Sequence, residues 1–106
     1  LSKEFIMSVK HINEDEFKKE ELEAKEPVLV DFYADWCGPC RMLGPIMEEV
    51  SEKHKVFKIN TDEAMGLAQE YGIMSIPCVI LFKDGKEVNR SIGLRSKEDI
   101  LKMVDE

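Results

Sequence analysis

A chain of 106 residues has the length of one domain, enough to bury an apolar core without disulfide staples or a structural metal. Its 43% hydrophobic and 35% charged residues describe an ordinary folded protein, and no apolar run approaches the ~20 residues of a membrane span. The formal charge of −7, from 22 acidic and 15 basic residues, comes without a Lys/Arg cluster and argues against nucleic-acid binding.

The start, Leu1 to Met7, lacks the basic region, long apolar run and cleavage site of a signal peptide. Met7 is a candidate natural start, with residues 1–6 an extension or remnant. Val9-Lys10-His11-Ile12 predicts a short strand. Asn13, with Glu16 three residues on, forms a box-like helix start. The Glu/Lys-rich run to Lys25 then reads as a surface helix with Phe17 and Leu22 facing inward and its charges in solvent. Pro27 ends that region. Val28 to Ala34 is apolar on both alternating faces except at Asp31, the pattern of a central strand covered from two sides.

A helix opens around Cys37 to Pro39, with Leu43, Ile46, Met47 and Val50 along one face and Pro45 as a source of a kink. Val56 to Asn60 predicts a third strand, and Thr61 or Asp62 a cap for a short helix carrying Leu67, Ala68 and Tyr71 up to Gly72. Cys78–Phe82 and Glu87–Ile92 flank Asp84-Gly85, a strong hairpin signal. Ser96, with Asp99 behind it, starts a last helix that buries Ile100, Leu101 and Val104. The order β-α-β-α-β-α-β-β-α implies an α/β fold, a central mixed sheet with helices on both faces, in one domain spanning 1–106. Ligands of such sheets gather at the carboxyl ends of strands, and Cys37 sits at one.

Three cysteines make a secreted disulfide framework a poor reading. A reducing, cytoplasmic compartment fits better, where a close pair is catalytic or binds metal. In Trp36-Cys37-Gly38-Pro39-Cys40 the first sulfur falls at a helix start, where free N–H groups and the positive dipole end favour an anion. The Cys37 pKa is therefore expected to fall. Pro39 suits the first turn, and Cys40 lies on the same side about one turn deeper. Cys37 is thus the exposed attacking thiol and Cys40 the buried resolving one. Asp31, in an apolar strand, is the candidate base for Cys40, or alternatively a buried carboxylate that merely pairs with Lys58. Lys58 is a tuning cation or an ordinary half-buried strand lysine. The rival use of the motif is zinc, but only Cys78, His11 and His54 remain as ligands, and both histidines read as surface or packing residues.

At these residues the chain resembles the thioredoxin family, from Val9 to Val104. The resemblance rests on Val30-Asp31-Phe32, the WCGPC motif, Lys58 with Asn60 and Asp62, Tyr71-Gly72-Ile73, Ile76-Pro77, Phe82-Lys83-Asp84-Gly85 and Gly93. It implies a thioredoxin fold and a cis Ile76-Pro77 bond beside the dithiol. It also implies a collar of Trp36, Gly38, Pro39, Ile76, Pro77 and Gly93, in which Ile76 pairs with an extended client peptide. It implies general protein-disulfide reduction without a cofactor or metal, with electrons from a thioredoxin reductase. The clients implied include ribonucleotide reductase, methionine sulfoxide reductase and peroxiredoxin, and the expected state is a monomer.

Three departures stand out: Tyr33 where a second tryptophan is frequent, Met74-Ser75 before Ile76, and Cys78 after Pro77. Cys78 is a small buried strand residue or a third thiol close to the dithiol. A disulfide isomerase or oxidant on the same fold, or a non-catalytic partner subunit, are the competing functions. Gly-Pro between the cysteines favours the reductase.

Overall fold

The computed structural model describes residues 9–20 and 26–105 in full and the backbone of 21–23. Strand β1 (Val9–His11) runs through buried Ile12 to Asn13. There the Glu16 N–H donates to Asn13 Oδ1 at 2.8 Å, and the Asn13 N–H donates to Glu16 Oε1 at 2.9 Å. This reciprocal box starts helix α1 (Glu14–Glu23), which buries Phe17. The inward side chain predicted for Leu22, the helix end at Lys25 and the readings of 1–7 fall outside the described residues.

Strand β2 (Val28–Tyr33) leads to helix α2 (Gly38–Val50), strand β3 (Lys55–Asn60) and helix α3 (Met65–Glu70). Strands β4 (Cys78–Lys83) and β5 (Lys86–Ile92) and helix α4 (Lys97–Asp105) follow. The five strands lie in the order β1-β3-β2-β4-β5. The first three are parallel, as helical crossovers require, while β4 and β5 are antiparallel.

The expected non-alternating strand is the middle one. Val28, Val30 and Phe32 join a cluster with Phe17 of α1 and Leu67 of α3. Leu29 points the other way, into Leu43, Met47 and Val50 of α2 and Ile100, Met103 and Val104 of α4. Helices therefore cover both faces, and β2 has no solvent side for its first five residues. On the last helix Met103 joins the core, while Leu101 is half-buried. Helix α2 continues through Pro45, which is exposed and offers no N–H to the carbonyl one turn back.

The cap before α3 differs from expectation. Asn60 Oδ1, not Thr61 or Asp62, accepts an N–H, that of Asp62 at 2.9 Å, and opens a 3-10 turn over Thr61–Glu63. The Thr61 hydroxyl is engaged elsewhere, donating to the Tyr33 carbonyl at 3.1 Å. Helix α3 begins only at Met65, with no side-chain cap. In the hairpin, Asp84 and Gly85 both adopt left-handed backbone (φ 52° and 78°), as a tight two-residue turn demands.

The Phe17 ring lies 5.4 Å from that of Phe82, 5.9 Å from Tyr71 and 6.4 Å from Phe32, so Phe17 is the buried apolar anchor of α1 on the sheet among the described residues. Phe17→Ala is expected to lower stability by about 3–5 kcal/mol in urea unfolding. A loss below about 1 kcal/mol would show that α1 is held elsewhere.

Candidate active site

Beyond β2 the chain turns through Ala34–Trp36, and the Cys37 N–H donates to the Ala34 carbonyl at 3.2 Å. Cys37 is the N-cap of α2: its backbone is extended, and its Sγ accepts the Cys40 N–H at 3.2 Å. Sulfur here does what a serine or aspartate oxygen does at an ordinary cap, engaging an N–H that the helix leaves unpaired. Pro39 sits in the first turn, where no donor is lost. Cys37 and Cys40 are joined by a disulfide with Cα atoms 5.2 Å apart.

The predicted contrast between an exposed and a buried sulfur is smaller than expected. Cys37 is 5% and Cys40 2% exposed, because Ala34, Tyr33 and Ile76 pack around the pair. Ile76-Pro77 is cis, and the Ile76 carbonyl oxygen lies 3.8 Å from Cys37 Sγ. The Gly93 N–H donates to the Pro77 carbonyl at 2.8 Å, with Gly93 at φ 91°, a conformation that excludes most side chains.

Trp36, 69% exposed, is held at its rim by donation from Nε1 to Asp62 Oδ2 at 3.0 Å. Trp36, Gly38, Pro39, Ile76 and Gly93 all reach the surface around the disulfide, whereas Pro77 is buried behind it. A Cβ at Gly38 would meet nothing within 4 Å, so the space beside the turn between the two cysteines is open. Trp36, Thr61, Ala68, Ile73, Met74 and Ile76 line a shallow depression of about 180 Å³ beside them. Asp62, a cap candidate from the sequence, instead holds an indole 26 residues away, a partner that leaves no local pattern.

Asp31 is fully buried, and among the described residues no group hydrogen-bonds either carboxylate oxygen. Alternation along β2 puts it on the face of Leu29, the face covered by α2, whose first turn carries Cys40. Burial raises its pKa from 3.8 to about 7, against the opposing pull of Lys58. Lys58 stands directly across from Asp31 in the β2–β3 register. Among the described residues it makes no ion pair with Asp31; its Nζ sits 4.4 Å above the Tyr33 ring. Lys58 and Cys40 line one depression of about 170 Å³ with His11, Tyr33, Ala34, Asp35 and Arg41.

Cys78 is 1% exposed and belongs to the cluster on the α1/α3 face, apart from the one that holds the dithiol. Burial pushes its thiol pKa up. Among the described residues no group of three His, Cys, Asp or Glu is arranged to hold a metal ion, and no helix is long and apolar enough to cross a membrane.

A dithiol at a helix start, flanked by a buried carboxylate and a cis-proline loop, defines a thiol–disulfide oxidoreductase. The Thioredoxin family model matches residues 8–106. The chain is 48% identical over 99 residues to thioredoxin of Rickettsia felis, covering 90% of this chain and 94% of the relative. It is 46% identical over 93 residues to thioredoxin 1 of Synechococcus elongatus, covering 84% and 87%. A solved mutant thioredoxin from Halobacterium salinarum superposes with a TM-score of 0.87 at 34% identity, covering 94% of this chain and 90% of that one. The chain belongs to the thioredoxin family and has the thioredoxin fold.

The Asp31 carboxyl has a linked effect on stability. Its folded pKa of about 7 exceeds the ordinary 3.8, so within that window the folded state keeps a proton that the unfolded state releases. Stability should then fall as pH rises from 3.8 to about 7 and level off above. Asp31→Asn is expected to remove this slope. Its gain in urea unfolding should be on the order of 4 kcal/mol at about pH 8 and should vanish near about pH 4. A pH-independent gain would assign the effect to packing. Thiol counting after mild oxidation should find the same products in Cys78→Ser as in the parent, less one thiol. An adduct that disappears with Cys78 would place this sulfur within reach of the pair.

Proposed function

We propose that this chain is a general protein-disulfide reductase that maintains thiol balance in the cytoplasm, acting as a single domain over residues 1–106. The observation that carries the reading is the Cys37 sulfur at the α2 N-cap, already accepting the Cys40 N–H at 3.2 Å. The same N–H and the helix dipole stabilise a thiolate at Cys37 once the disulfide is reduced.

The Cys37 thiolate attacks one sulfur of a client disulfide, forming a mixed disulfide and releasing the other client sulfur as thiolate. Cys40 loses its proton to the Asp31 carboxylate and attacks Cys37 Sγ. The mixed disulfide breaks, the second client thiolate leaves, and the Cys37–Cys40 disulfide forms. The client gains two electrons and, from solvent, two protons. A carboxyl with pKa about 7 is suited to this proton transfer in both directions near neutrality. Lys58 tunes that carboxyl, as its lowering effect on the Asp31 pKa supports.

Gly38 and Pro39 keep the turn between the sulfurs open and fixed, while Trp36, Ile76, Pro77 and Gly93 form the docking surface. The exposed indole and the open space at Gly38 support this assignment. The Ile76 backbone receives the client strand next to Cys37. The oxidised pair is returned to dithiol by a thioredoxin reductase, so no bound cofactor is needed. The clients are disulfide-containing proteins such as ribonucleotide reductase, methionine sulfoxide reductase and peroxiredoxin, met by a monomer.

With a protein-disulfide substrate, Cys40→Ser is expected to accumulate covalent adducts through Cys37, visible on non-reducing gels and lost on adding dithiothreitol. Cys37→Ser should form none and lose all disulfide-reducing activity. Absence of adducts in Cys40→Ser, with an active parent, would reverse the assignment of the two sulfurs.

A further inference from the structure

Tyr33 is the last residue of β2 and lies on the same strand face as Asp31, two positions earlier. Its hydroxyl is 3.4 Å from His11 Nδ1 on β1, and the His11 ring meets its edge at 86° with centroids 6.0 Å apart. Its face carries the Lys58 ammonium, 4.4 Å from the ring centroid and well inside the range of a cation–π contact. On the other side Lys58 Nζ is 3.9 Å from the point where a Cβ on Gly44 would stand. The ammonium therefore lies between the phenol ring and the bare backbone of α2. Lys58 and Asp31 are paired in register, so the place of the ammonium fixes its field at the carboxyl.

We propose that Tyr33, anchored by His11, is a positioning residue: its ring holds the Lys58 ammonium beside Asp31 and so sets how readily that carboxyl gives and takes a proton. The proposal rests on Asp31 acting as the base for Cys40. A long lysine chain has many rotamers, and release to solvent would screen its charge from a buried partner. The ring and the Gly44 gap remove that freedom.

The charged and titratable groups around this ring are Asp31 on β2, Asp35 beyond it, Lys58 on β3, His11 on β1, Glu63 in the 3-10 turn, and Cys40 and Arg41 on α2. Arg41 is turned away, donating through Nη1 to the Asp35 carbonyl at 2.8 Å. From β4 the residue opposite Asp31 is apolar Val79. Among the described residues Lys58 is the cation that lowers the Asp31 pKa against the rise from burial.

The test is the Asp31 carboxyl midpoint, followed by carbon-13 NMR of the reduced protein. Tyr33→Leu is expected to raise it by about half a pH unit or more, in the direction of Lys58→Met. Within Lys58→Met, Tyr33→Leu should add nothing. Tyr33→Phe and His11→Gln, which keep the ring, should give smaller rises and a reduced ring-current shift at the Lys58 ε-methylene. Equal effects of Tyr33→Leu with and without Lys58, or no effect with it, would overturn the proposal. If Tyr33→Leu fails to fold, the ring-current and midpoint changes in the two milder variants decide, and no change in either overturns it. Failure of the base assignment appears separately, as an unslowed resolving step in Asp31→Asn with the midpoints still responding to Tyr33.

Discussion

A carboxylate without a hydrogen-bond partner stands in the middle of a sheet that is covered on both faces. Charging such a group in an apolar environment is unfavourable, and removing the strand to water is not open to a fold whose two cores meet on β2. Asp31 therefore keeps its proton to about neutral pH, with Lys58 pulling the other way. The sheet tolerates one such residue because Val28, Leu29, Val30 and Phe32 around it are all fully buried. The stability penalty thus falls at one position of β2, on the face covered by α2.

The same strand sets the place of the sulfurs. A short turn, Ala34–Trp36, separates β2 from α2, so Cys37 caps that helix and its sulfur meets the N–H of Cys40. The cis-proline loop belongs to β4, the antiparallel neighbour of β2, so Ile76 arrives beside the pair by strand pairing and not by sequence proximity. Gly93, at the end of β5, is tied to Pro77 through the backbone. Three consecutive neighbours in the sheet thus deliver the three parts of the site.

Much of this was legible where a residue acts on its near neighbours. The lack of alternation in Val28–Tyr33, the Asn13/Glu16 box and the Asp84-Gly85 turn each state a local conformation, and each was found. Asp31 was legible as an anomaly of that same strand. What was not legible depends on distant partners. Thr61 has the chemistry of a cap but spends its hydroxyl on Tyr33, 28 residues away, leaving Asn60 to open the turn. The indole partner of Asp62 and the His11 partner of Tyr33 are of the same kind. The cis bond at Ile76-Pro77 was reached through the family resemblance, since X–Pro bonds are cis only about 5–6% of the time. Cys78 is the small buried strand residue that one of its two readings described, and it packs in the cluster on the α1/α3 face.

The two flanks of the disulfide differ in what can vary between relatives. On the client side the rim is largely pinned: Trp36 by Asp62, Gly93 by the Pro77 carbonyl, Ile76 by the turn into β4. Met74 is not, standing 94% exposed at the edge of the apolar depression. A flexible thioether there can vary without disturbing the hydrogen bonds of Trp36 and Gly93. On the other flank His11, Tyr33 and Lys58 line a second depression with Cys40, and Tyr33 is tied to the first through its backbone carbonyl, which accepts the Thr61 hydroxyl at 3.1 Å. Substitution at Met74 therefore changes the exposed edge of one depression, and substitution at Tyr33 the surroundings of Lys58 on the other flank. The dithiol between them can remain the same.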